Sequence, residues 1–440
     1  MLTIYKNARK FKAFLTEKHI MWQLVTIICL LLCISCTHPA NFSNQKKTLS
    51  VTLFYTGELL GELEPCGCSG GKLGGMALRS SWIDTLNLDS ELFLIDGGFA
   101  AKKWEQQDKM KFIVHRKTLN ALNYGVQFLS TTENLPEELE KMDKPIFLTL
   151  QEEVGVSYLY KKWESKESSI GILFLVMETF NNFADLQSII NKYNPNIIFT
   201  MTKGIFNNYE SLVPNGNFLR IFFPVDSPAP YSPLQPASNV LIISAGNKGR
   251  YAGLLEIQSE NQTLTWQNRI LSLEKGNPPN PKVTALLTEY ANQVKEDRLL
   301  DIIIKQSSPV GFVGSENCME CHQREYKIWK KTKHSHAFST LAKVNHQYDP
   351  ECIGCHVIGF DYEEGFRNPE DTPDLMNVGC ESCHGAGAEQ AMNPVAGFGK
   401  EEKKPICLTC HEKNRSPKFD YEEFRKKIRH WHQENITPTD

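Results

Sequence analysis

Four times in its last third the chain repeats one short pattern: CMECH at 318–322, CIGCH at 352–356, CESCH at 380–384 and CLTCH at 407–411. Two thiols separated by two residues, with a histidine directly behind them, form the attachment sequence of c-type haem. The thiols make thioethers with the two vinyl groups of one porphyrin, and the adjacent histidine turns beneath the ring to ligate iron. Zinc would also use C-x-x-C, and disulfides any even number of cysteines. Zinc, however, needs no histidine behind every pair, and disulfides need none at all. The spacing therefore assigns Cys318, Cys321, Cys352, Cys355, Cys380, Cys383, Cys407 and Cys410 to four covalent haems c, with His322, His356, His384 and His411 as their first iron ligands. Porphyrins this dense in sequence lie close enough for electron hopping. Their faces also supply the apolar surface that the Cys-, His-, Gly- and Pro-rich sequence beyond residue 311 lacks.

Haem iron takes two axial ligands, and each motif provides one. Five further histidines follow residue 310: His334, His336, His346, His430 and His432. At i and i+2, His334 and His336 diverge from a helix, so they can serve two different haems. His346 and His432 remain open between a ligand role and a surface imidazole.

The N-terminus has the form of an export signal: Lys6, Arg9, Lys10, Lys12 and Lys18 precede the apolar run IMWQLVTIICLLLCIS, which stops at Cys36. The run is short for a membrane span. It resembles a bacterial lipoprotein signal, which implies cleavage before Cys36 and lipid attachment to it, in the periplasm or, with Thr37 rather than aspartate following, at the outer membrane. A retained anchor helix is the alternative. The formal net charge of −3 and the absence of a basic run with interleaved aromatics exclude a nucleic-acid binder.

Between these ends, residues 48–275 alternate β-type runs (SVTLFYT, ELFLID, IGILFLV, NIIFTM, NVLIISA) with helical patterns such as MALRSSWIDTLN, which predicts a layered α/β domain. The breaker GNPPNPK opens a helical linker over 276–310, and a mainly α, irregular haem domain occupies 311–440. Cys66 and Cys68 sit in EPCGCSGGKLGG, where a disulfide is the first reading. The lysine there lacks the following Ser or Thr of a phosphate loop.

The run WKKTKHSHAFSTL, then DPECIGCHVIGFDYEEGF, NVGCESCHGAGA, ICLTCHEKNRSPKFDYEEF and IRHWH, resembles the cytochrome c-554 family of tetrahaem c-type cytochromes over about residues 315–432. The resemblance implies His334, His336 and His430 as distal ligands. It departs after the third motif, where Gln390 stands near the position of a family histidine. That departure implies either a substitute, His346 or His432, or one open iron, and a five-coordinate haem does occur in that family among bis-histidine ones. Separately, YTGELLG, LIDGGFA, LNYGVQFLSTTE and LIISAGNKGRYAGLLEI resemble the metallophosphatase domain of the 5′-nucleotidase family. In register, the family's metal ligands become Glu58, Leu60, Phe99, Thr131 and Thr132, leaving Asp96 and Glu133 with Glu58 as a poor site for two-metal hydrolysis. The expected function is electron transfer between redox partner proteins at the cell envelope. The alternative is a haem enzyme acting on a small nitrogen compound at an open iron.

Overall fold

A computed structural model describes residues 48–64, 73–101, 103–129, 146–149, 157–177, 183–204, 212–274, 276–399, 404–412, 415–416 and 418–430. The export run with Cys36, the pair Cys66 and Cys68, residues Thr131, Thr132 and Glu133, and His432 lie outside the described residues. The strands, in chain order, are β1 (Leu49–Thr56), β2 (Glu91–Asp96), β3 (Val126–Leu129), β4 (Ile146–Thr149), β5 (Tyr158–Glu164), β6 (Ser169–Met177), β7 (Ile197–Thr202), β8 (Leu219–Pro224), β9 (Pro230–Ala237), β10 (Val240–Ala245), β11 (Tyr251–Glu260) and β12 (Thr263–Ser272). They form two six-stranded sheets, ordered β12-β11-β1-β2-β3-β4 and β5-β6-β7-β8-β10-β9. Each has a parallel centre, β1 through β4 in one and β6-β7-β8-β10 in the other.

The central strands are apolar on both faces because both faces are covered. On β1, Val51, Leu53 and Tyr55 point into the space between the sheets, while Phe54 points outward. On β6, Ile170, Ile172, Phe174 and Val176 face inward, and Leu173, Leu175 and Met177 outward. Helices α1 (Met76–Thr85) and α2 (Gln106–Ala121) cover the outer face of the first sheet, and α3 (Phe183–Tyr193) covers the second. The result is a helix–sheet–sheet–helix stack, the layered α/β class that the alternating sequence predicts.

Residues 276–310 form α4 (Pro281–Glu296), which starts where Asn280 accepts a hydrogen bond from the Lys282 N–H at 3.0 Å, with Pro281 at the first turn. Its buried stripe of Val283, Leu287, Tyr290 and Val294 lies against α2 and the first sheet. This segment is thus docked on the α/β layers rather than spanning open space. Beyond it the helices shorten to seven residues or fewer. A small cluster of Leu341, Ile353, Val357, Ile358, Phe366 and Leu375 is the apolar core there, modest for a region of this length.

A polar seam joins the C-terminal region to the layers. Gln107 of α2 donates to Asp349 at 2.7 Å, and Lys111, one turn further along α2, pairs with Glu351. Asn345 donates to Asn292 of α4 at 2.8 Å, and Glu64 lies 2.6 Å from His346.

Candidate haem centres

Each motif folds as a single helical turn. The N–H of the histidine reaches the carbonyl of the first cysteine at 2.9 Å in the first, third and fourth motifs, and His356 bonds to Ile353 at 2.7 Å in the second. One turn gathers both sulfurs and the imidazole about one local axis, as a single porphyrin requires. The eight sulfurs stand unbridged. The first and third motifs are tied together. The buried Glu381 carboxylate accepts from the N–H groups of Val313, Gly314 and Gly387, Cys380 N–H donates to Ser315, and the Cys318 and Cys380 sulfurs are neighbours. In the same way Cys355 meets Cys410, with Arg415 Nη1 3.7 Å from the Cys355 sulfur.

The imidazoles are set for coordination. Nδ1 of His356, His384 and His430 donates to the carbonyls of Ala337, Gly399 and Ile428 at 2.7, 3.0 and 2.9 Å. A ring whose Nδ1 carries the proton presents a lone pair at Nε2, the arrangement metal-ligating histidines use. His411 places Nδ1 3.1 Å from the Ser416 hydroxyl and stacks flat on Phe419.

Two motif histidines face non-motif ones. The ring centres of His334 and His411 are 6.2 Å apart, and those of His384 and His430 are 5.8 Å apart. Two metal–imidazole bonds of ~2 Å, plus the reach from each nitrogen to its ring centre, ask for about 6 Å. Both gaps thus match the room one iron needs, and the residues present fit haem. Burial, and His411 opposite, push the His334 imidazole below its usual pKa, which keeps it neutral. Its turn is held by Ser335, which donates to Lys330 at 2.8 Å, and by Val378 N–H on the His334 carbonyl.

The remaining histidines are placed otherwise. His322 and His336 are exposed. His346 does not stand opposite a motif histidine. It lies 2.6 Å from Glu64 and 3.8 Å from Asp349, because two carboxylates in a half-buried seam offer an imidazolium more than an exposed site would. Gln390 closes its own turn, donating to the Val395 carbonyl and accepting from its N–H. His430, rather than Gln390, is the residue whose ring lies opposite His384.

Burial alone would lower the His346 pKa, but Asp349 and Glu64 overcome it and hold the group up at about 9. A folded pKa above the unfolded value of ~6.5 gives stability that is whole below that pH and lost as pH rises through about 9. The melting temperature is expected to fall over this interval, and His346→Gln to flatten the slope. An unchanged slope in the variant would refute the assignment.

In the α/β layers, sequence reasoning missed Arg79. Its guanidinium, fully buried, lies 2.7 Å from Asp96 Oδ2, while His115 Nε2 is 3.4 Å from Oδ1 and Gly98 N–H donates to the same oxygen. Glu58 is buried beside Lys203 at 3.4 Å, and Phe99 packs against Phe112 and His115. Among the described residues, cations thus lie against the carboxylates Asp96 and Glu58 that would otherwise hold metal. Among the described residues, a metal-type cluster occurs only at His346, Asp349 and Cys352, whose sulfur belongs to the second motif.

Residues 317–385 match the family described as cytochrome c554 and c-prime. Cytochrome c-554 of Nitrosomonas europaea is 37% identical over 91 residues, 17% of this chain and 39% of that protein, so the chain spans well under half of that relative. Among solved structures, the NAD nucleotidase of Haemophilus influenzae aligns with TM-score 0.45 and 13% identity over 62% of this chain and 64% of that one. The 5′-nucleotidase precursor of Thermus thermophilus gives TM-score 0.43 and 15% identity over 68% of each. Residues 317–385 of this chain are thus similar to the cytochrome c554 and c-prime family.

Proposed function

We propose that the chain carries four covalent haems c and passes electrons between redox partner proteins at the cell envelope. Residues 1–36 would export it, and lipid on Cys36 would anchor it in the periplasm or at the outer membrane. Residues 311–440 act as the tetrahaem domain, joined through 276–310 to 48–275, which serve as scaffold rather than phosphatase. When bound, haem supplies a one-electron iron couple. The protein's own residues would hold two irons between facing imidazoles, orient His356, His384 and His430 through Nδ1, and bring the first motif beside the third and the second beside the fourth.

The observation that carries this reading is the pair of facing imidazoles at 6.2 and 5.8 Å, each joining a motif histidine to one from elsewhere in the chain. A pyridine haemochrome assay is expected to give four haems per chain, with metal analysis showing no manganese or zinc pair and no phosphodiester hydrolysis. A colourless folded protein, or two catalytic metals per chain, would overturn it.

One observation favours a second reading. With His346 drawn to Glu64, His336 is left, among the described residues, for the two irons at His322 and His356. An iron lacking its second imidazole has a free position for a small nitrogen compound, and the chain would then act as a haem enzyme. A purely low-spin spectrum removes this alternative; a high-spin component altered by nitric oxide supports it.

A further inference from the structure

The seam between α2 and the second motif has a task that neither the α/β scaffold nor the haem motifs explain separately. Gln107 and Lys111, four residues apart, share one face of α2, and both end on the short helix Pro350–Ile353 that delivers Cys352. Asp349 caps that helix by accepting from Glu351 N–H at 2.9 Å. The same carboxylate accepts from Gln107 at 2.7 Å and lies 3.5 Å from the Tyr290 hydroxyl of α4, which itself accepts from Gln107 at 2.9 Å. Asp349 is buried, and Lys111 is only 4% exposed although it carries a charge. Burying a lysine is costly unless its charge is paired and hydrogen-bonded. Its partner Glu351 is 54% exposed, so water screens that carboxylate while Lys111 stays inside. Glu351 directly precedes Cys352, so the Lys111 ammonium lies beside the turn that carries this half-buried sulfur.

We propose that Lys111 and Gln107 of the α/β domain are positioning residues for the second haem site. They orient the helix carrying Cys352 and, through the Lys111 charge, raise the reduction potential of the haem held by Cys352 and Cys355. The α/β domain is thus part of the redox centre rather than a passive carrier. The inference rests on the haem-bearing function proposed above.

The test is a spectroscopic potential titration of the full holoprotein. Lys111→Met removes a buried positive charge and is expected to lower one potential, with the one-electron equilibrium constant changing about threefold, about 30 mV at 59 mV per decade. Lys111→Arg should restore it. Glu351→Gln, at the solvated end of the pair, keeps the proposal testable if Lys111→Met fails to fold, and should shift the same potential the opposite way, less far. A loosened helix would move both variants in one direction, so opposite signs support the proposal. Unchanged potentials, shifts of the same sign, or equal shifts at every haem overturn it while leaving the haem-bearing function intact. Chains without haem would sink that function as well.

Discussion

Arg79→Met will destabilise the α/β layers by about 3–5 kcal/mol, the range for breaking a buried ion pair from one side. Asp96 then remains fully buried with no guanidinium, and His115, 3.4 Å away, cannot replace a contact of 2.7 Å. For a region of this size the loss is roughly 6–20 °C in melting temperature. Adding Asp96→Asn removes the stranded charge and is expected to recover part of it, because the cost lies in the unpaired carboxylate more than in the lost attraction. The acid limb carries the same signature. Burial pushes the Asp96 carboxyl up, but His115 and Arg79 together hold it below its ordinary value. A depressed folded pKa gives stability that is complete above the unfolded value of ~3.9 and lost as pH falls through the folded one. Stability of the parent protein therefore drops more steeply in acid than that of Arg79→Met. Chelators should change neither curve. A chelator-dependent melting temperature would mean that metal, not Arg79, balances Asp96.

What the sequence disclosed and what it hid divide along one physical line. Attachment by C-x-x-C-H is local chemistry, complete within five residues, so the four motifs stand out in the sequence alone. The alternation of β1 to β12 with helices is likewise local, since side-chain period follows from burial of both sheet faces. Pairing across space is not local. Nothing near CESCH announces that His430, 46 positions beyond His384, lies with its ring centre 5.8 Å from it. Arg79 hides for a related reason. In MALRSSWIDT it reads as an ordinary charged helix residue, and only the sheet beneath α1 shows that it points at Asp96. One signal was available: a segment in metallophosphatase register that keeps Asp96 but offers Leu60 and Phe99 in place of ligands needs some other cation to balance the remaining carboxylate. Lys111 gave less warning, because a lysine four residues after Gln107 on an amphipathic helix normally lies in water.

The His384–His430 pair supplies the second large effect. His430→Ala removes the imidazole 5.8 Å from His384 and leaves that ring held by its Nδ1 bond to Gly399. One iron, and only one, is expected to pass completely from low to high spin, because the ligand on the other side does not depend on His430 for its position. His334→Ala should do the same at His411, which keeps its stacking on Phe419 and its contact with Ser416. The double variant should convert two irons, with the effects adding, since the two pairs share no ring. His346→Ala is the control: its imidazole is engaged by Glu64 and Asp349, so it should alter the pH dependence of stability and leave every spin state as it was. Electron paramagnetic resonance on the oxidised protein reads all four results. Should His346→Ala convert an iron while His430→Ala converts none, the pairing of imidazoles in the C-terminal region would have to be redrawn, and with it the order in which neighbouring haems exchange electrons.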